Sequence, residues 1–175
     1  MAGHNKWSQI KRQKGKTDAQ KSKLFSKYAK LITQEAKKSN GNVTSPGLKA
    51  AIERARADNM PSDNIERAIK KATTQATDLE SITYESYGPG GCAIVIDALT
   101  DNRNKAAQEI KHILSNHGLE LAGIGAATWA FEKQNGEWTP KTTVPISDTD
   151  ANTLETIINE LEENDEVQGV YTNAE

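Results

Sequence analysis

Apolar residues recur at helical spacing in three successive stripes in the first half of the chain: Leu24, Phe25, Tyr28, Leu31, Ile32 and Ala36; then Leu48, Ala51, Ile52 and Ala55; then Ile65, Ala68, Ile69 and Ala72. Thr17 with Gln20 three residues on forms a capping box ahead of the first stripe, which predicts a helix from about Asp18 to Lys38. Asn40-Gly41 ends it, Ser45-Pro46 opens the second helix with Ser as cap, Asn59-Met60-Pro61 breaks that one, and Ser62 is expected to cap the third. Three short helices of this kind make one small bundle. The polar segment Thr73 to Asp78 is the expected linker.

Beyond it the apolar period shortens. Ile82, Tyr84 and Tyr87 read as a short strand, Gly88-Pro89-Gly90-Gly91 as a turn, and Cys92 to Leu99 as a strand rich in β-branched residues. Asp101 or Asn102 caps a helix to about Asn116, with Gly118 as its stop. A strand from about Ala127 to Phe131 leads to an Asn135-Gly136 hairpin signal, so Glu137 to Thr143 is expected to pair back, with Pro140 marking an edge. Ser147 and Asp150 open a helix built on Leu154, Ile157, Ile158 and Leu161, and Val167 to Thr172 is a last strand. The whole is predicted to be α+β: an N-terminal three-helix bundle over 1–77, then a ferredoxin-like antiparallel sheet with helices on one face over 78–175.

Charge sharpens that division. Residues 1–77 carry 17 Lys and Arg against 6 Asp and Glu, a net +11, whereas residues 78–175 carry 5 against 18, a net −13; the overall −2 conceals both. The first 30 residues alone hold nine basic side chains and one acid, Asp18. A face without interspersed acids differs from an ordinary solvated helix, which carries both signs for pairing, and it attracts polyanions. His4, Lys6, Trp7, Lys11, Arg12, Lys14 and Lys16 on an arm, with Lys21, Lys23, Lys27 and Lys30 on the first helix, are therefore the candidate nucleic-acid contacts. Trp7 is placed either to stack on a base or to tuck against the following helix.

The remaining chemistry is sparse. Cys92, the single cysteine, lies in an apolar run and is expected to be a small buried thiol, in keeping with a reducing cytoplasm. His4, His112 and His117 have no Cys or carboxylate at ligand spacing, so no metal or other cofactor is expected. Gly88, Gly90 and Gly91 sit between two strands, whereas a nucleotide-binding glycine fingerprint leads into a helix; the turn could instead offer backbone N–H groups to a phosphate. No apolar run is long enough for a leader or a membrane span. Neither an enzyme nor a small-molecule substrate is expected.

AGHNKWSQIKRQKGKTDAQKSKLFSK at the start, NMPSDNIERAIKKA at 59–72 and YESYGPGGCAIVIDALTDNRNKAAQEIKHILSNHG at 84–118 resemble the YebC/PmpR family. The resemblance implies a helical N-terminal domain followed by α+β domains, no catalysis, and a role either as a DNA-binding transcriptional regulator or as a ribosome-associated translation factor that relieves stalling on proline-rich nascent chains. It is also the only ground for a role of Arg103, within Asp101-Asn102-Arg103-Asn104. Members of the family usually carry a further α+β domain between the segments that here read WAFEK (129–133) and TTV (142–144), where this chain has only QNGEWTPK.

Binding to rRNA on the ribosome is the first expectation, because lysine is a point-charge donor suited to phosphate more than to bidentate base reading. Sequence-specific DNA binding is the second. An interaction module whose basic part docks on its own acidic part, with no nucleic acid involved, is the third.

Overall fold

The structure, a computed structural model, describes residues 17–74 and 78–175. The chain divides into two compact units, one ending at Leu79 and one beginning at Glu80.

The first unit is helical: α1 (Asp18–Lys38), α2 (Pro46–Ala57) and α3 (Ser62–Lys71). The capping box is formed in full, with Gln20 N donating to Thr17 Oγ1 at 3.2 Å and Thr17 N donating to Gln20 Oε1 at 2.9 Å. Asp18 in the first turn and Lys37 and Lys38 in the last complement the helix dipole. Asn40 (φ 52°) and Gly41 (φ 77°) then take left-handed conformations, and Gly41 N returns to Ala36 O. Ile32, Leu48, Ala51, Ala55, Ile65 and Ala68 make the core. Ser62 is not the cap of α3: the N-cap position is Pro61, which has no side-chain donor or acceptor, and Ser62 is the first helical residue. Gln34 reaches past the helices to Leu79, donating from Nε2 to its carbonyl at 2.8 Å and accepting its N–H at 3.4 Å, while Lys37 pairs with Asp78 at 2.7 Å. These bonds bind the first unit's tail to α1 and carry its limit past the boundary expected at residue 77. Of the expected linker, residues 75–77 lie outside the described residues.

In the second unit β1 (Glu80–Tyr87) pairs antiparallel with β2 (Ala93–Thr100), and β2 with β5 (Val167–Thr172), so β2 is the central strand. Burial on both faces explains its almost unbroken apolar sequence. Successive side chains alternate between faces. Ile94, Ile96 and Ala98 pack with Ile110 and Leu114 of α4 (Arg103–Ser115) and with Leu154, Ile157 and Leu161 of α5 (Asp148–Glu163). Ala93 and Val95 pack on the opposite side with Ala127, Ala130 and Phe131. This is the expected α+β arrangement with helices on one face.

The third predicted strand differs from expectation. Residues 128–130 form a 3₁₀ turn, and β3 (Phe131–Gln134) pairs only with β4 (Glu137–Pro140), as a ribbon outside the main sheet. The cause is Glu85. Its buried carboxylate accepts the N–H groups of Gly125 (2.8 Å), Ala127 (3.0 Å) and Thr128 (2.7 Å), donors that a strand would have given to a neighbouring strand. Asn135 (φ 52°) and Gly136 (φ 81°) make the tight turn that the sequence signalled. Trp138 ties the ribbon to the sheet by donating from Nε1 to both carboxylate oxygens of Asp97 at 3.1 Å; Thr83 Oγ1 donates to the same group at 2.8 Å.

Candidate nucleic-acid interface

One turn-by-turn face of α1 carries Ser22, Phe25, Ser26, Ala29, Lys30 and Thr33, spaced i, i+3, i+4, i+7, i+8 and i+11. Opposite it, α3 presents Asn64, Arg67, Ala68 and Lys71 at i, i+3, i+4 and i+7. Ser22, Ser26 and Ala29 are short where a packing face would carry long apolar side chains. The two helices are nonetheless held together, because Thr33 Oγ1 donates to the Ala68 carbonyl at 2.9 Å in the buried floor. What remains between them is an open trough of about 860 Å³. Phe25, Met60 and Leu79 contribute apolar surface to it, while Lys30, Arg67, Lys70 and Lys71 bring four cations, and no carboxylate lines it. Arg67 is oriented by Asn64, whose Oδ1 accepts from Nη2 at 3.2 Å. Lys70 and Lys71 stand in the last turn of α3, where the helix dipole also favours positive charge.

The candidate contacts fall unevenly around this trough. Lys30 lines it. Lys21 is exposed and Lys23 half-buried, neither of them in the trough wall, and Lys27 is buried with only 8% of its surface accessible. Lys27, expected as a contact for its charge, is thus a buried residue that does not line the trough. His4, Lys6, Trp7, Lys11, Arg12, Lys14 and Lys16 lie outside the described residues. Arg67, Lys70 and Lys71 escaped the sequence reading, which used α3 only for its apolar stripe. All three fall off the stripe of Ile65, Ala68 and Ile69, but Asp63 and Glu66 stand four residues before Arg67 and Lys70, so the sequence reads as an ordinary solvated face of mixed charge.

The secondary candidates belong to the second unit. Gly88 to Gly91 form the β1–β2 turn, with Gly88 N donating to Cys92 O at 2.8 Å and Gly91 N to Gly88 O at 3.1 Å. Two of the amides thought available to a phosphate are therefore spent within the turn. Gly90 has φ 71°, and a Cβ there would lie 2.7 Å from Ile146 Cγ2, which accounts for glycine without any ligand. Arg103 Nη2 pairs with Glu80 Oε1 at 2.8 Å, both side chains more than half exposed, a pair of little energetic weight.

Burial and hydrogen bonding together set titration in this unit. Desolvation pushes the Cys92 thiol up and keeps it protonated. Burial likewise raises Tyr84, against the opposing effect of Arg103. For Glu85 burial pushes the carboxyl up, but the backbone donors from Thr128, Gly125 and Ala127 outweigh it and hold the group below the usual carboxylate range. Lys105 is raised by its hydrogen bond to Glu166 at 3.2 Å. His117 Nε2 contacts Glu160 Oε2 at 3.0 Å. Among the described residues no group of three or more His, Cys, Asp or Glu could hold a metal ion, and no helix is long and apolar enough to cross a membrane.

Comparison with known proteins assigns both units. Residues 5–75 match the model of the TACO1/YebC protein N-terminal domain, and residues 79–136 and 133–174 match that of the TACO1/YebC second and third domain. The chain belongs to the TACO1/YebC family. A relative from Thermotoga maritima, named a probable transcriptional regulatory protein, is 49% identical over 137 residues, covering 77% of this chain and 54% of its own length. The chain thus spans about half the length of the curated relatives of this kind. A relative of the same name from Thermoanaerobacter pseudethanolicus is 36% identical over 239 residues, covering all of this chain and 97% of itself. That alignment is longer than the chain, as an internal gap makes it, and the two matched segments of the second TACO1/YebC model overlap at residues 133–136, in the β3–β4 ribbon. This agrees with a compact member of the family. A crystal structure of a conserved hypothetical protein from Aquifex aeolicus superposes with a TM-score of 0.80 at 31% identity, over 97% of this chain and 96% of that one.

Proposed function

We propose that this TACO1/YebC protein is a nucleic-acid-binding regulator of gene expression that acts on the ribosome, contacting rRNA and easing elongation at proline-rich stalls. The observation that carries the reading is the cationic trough between α1 and α3, four basic side chains without a carboxylate, in a half of the chain whose net charge is +11. Such a surface follows phosphate by charge and shape and needs no base-edge readout. In this reading the protein acts by binding, without catalysis. It works in the cytoplasm, where ribosomes are met.

Changing Lys11, Arg12, Lys14 and Lys16 together to Ala tests the reading. With six or more phosphate contacts, log affinity for rRNA falls against log salt with a slope on the order of −5, and the quadruple variant flattens that slope and leaves the ribosome fraction on sedimentation. Unchanged co-sedimentation would count against it.

The second reading, a DNA-binding transcriptional regulator, is favoured by the names of the relatives. It requires a sequence preference. Selection from random duplexes returns a compact motif if it holds and unrelated sequences if it does not.

A further inference from the structure

We infer that the trough between α1 and α3 takes an unpaired stretch of nucleic acid, with a base laid against Phe25 and the flanking phosphates on Lys30, Arg67, Lys70 and Lys71. The inference rests on the reading of this protein as a nucleic-acid binder and narrows it to a class of ligand.

The lining decides between a duplex and a single strand. A duplex turns its phosphates outward and keeps its bases stacked inside, so it would set charged groups against Phe25, Met60 and Leu79, and desolvating a phosphate on apolar surface is unfavourable. An unpaired nucleotide has both chemistries the trough has: a π-face for an aromatic ring and a charge on either side for the cationic rim. The volume, about 860 Å³, is at the upper end of what encloses small ligands, which suits a few nucleotides lying along the helices. Phe25 is half-buried in a regular helix, so little freedom is lost when a base covers it. The hydroxyls of Ser22 and Ser26 on α1 and of Thr74 after α3 also line the trough; that of Ser26 donates to the Ser22 carbonyl at 3.1 Å and keeps its lone pairs for a base or sugar donor. The rim is built from two helices, so the strand is held from both sides, unlike a polymer resting on a flat basic face.

The test uses the full chain and fluorescence anisotropy with a short labelled oligoadenylate RNA, its deoxy counterpart and a duplex of equal length. The single strands should bind more tightly than the duplex at the same salt. Arg67→Gln, Lys70→Gln and Lys71→Gln together, all at exposed positions, should reduce the magnitude of the log–log salt slope by about 2. Phe25→Leu keeps apolar bulk in the bundle but removes the ring, and should weaken strand binding about tenfold while leaving the slope where it was. A 2-aminopurine base in the strand should be quenched by the native protein and less so by Phe25→Leu. Tighter binding of RNA than of the deoxy strand assigns the ligand to RNA, and equal binding to unpaired strands of either sugar; both support the inference. Preference for the duplex, or strand binding that neither variant changes, overturns it while leaving nucleic-acid binding intact. Failure of the native protein to bind any of the three probes removes the broader reading as well.

Discussion

Glu85 shows how one side chain redirects a fold. A glutamate with 4% of its residue surface accessible is costly to ionise unless its carboxylate is supplied with donors, and three backbone N–H groups supply them. Glu85→Gln, which offers one acceptor oxygen and turns an NH₂ toward the same donors, should lower stability by about 2–3 kcal/mol in urea unfolding. Its pH dependence has a definite sign. The folded pKa lies below the unfolded value of about 4.3, so the stabilisation is complete above that value and is lost as pH falls through the folded pKa. The native protein should therefore weaken steeply below about pH 4, and the variant less so. Tyr84 gives the opposite case. Its hydroxyl is buried with no hydrogen-bond partner among the described residues, so Tyr84→Phe should leave stability unchanged or raise it by about 1 kcal/mol, read as an upward shift in Tm. Neither residue was legible beforehand. A glutamate in a strand of alternating polarity reads as solvent-facing until the loop that caps it has been placed, some forty positions downstream.

At the scale of elements the sequence was far more informative, and the reason is local chemistry. Thr17 and Gln20, Asn40-Gly41, Asn102, Ser147 and Asn135-Gly136 fix their helix ends and turn through bonds to near neighbours, so their roles can be read without the rest of the chain. Thr17→Ala should cost about 1 kcal/mol and fray the start of α1, visible as a lower urea midpoint and faster amide exchange in its first turn. What could not be read was anything decided by distant partners. The segment before Phe131 has strand-like residues but turns because Glu85 takes its donors, and Lys27 has a surface residue's chemistry but a buried residue's address. The trough falls between these cases: each wall was visible as a helical face, whereas the pairing of the two walls was not.

Across the whole molecule, charge is segregated along the chain, +11 before residue 78 and −13 after it. Lysine acylation with and without bound RNA should therefore protect Lys70 and Lys71 and leave Lys111 and Lys141, both exposed, as reactive as before; equal protection in the two halves would contradict the assignment of the contact surface. Ribosome profiling with and without the protein should place the change in occupancy at consecutive proline codons. The β3–β4 ribbon carries a different consequence. It shares no rung with the three main strands and is moored to them through Trp138 and the buried Phe131, so its hairpin tip is a splice point where a foreign module can be grafted or excised while every register in the sheet stays as it was. A lineage could lengthen or shorten its product there in one step, and an engineer could hang a reporter on the same peg.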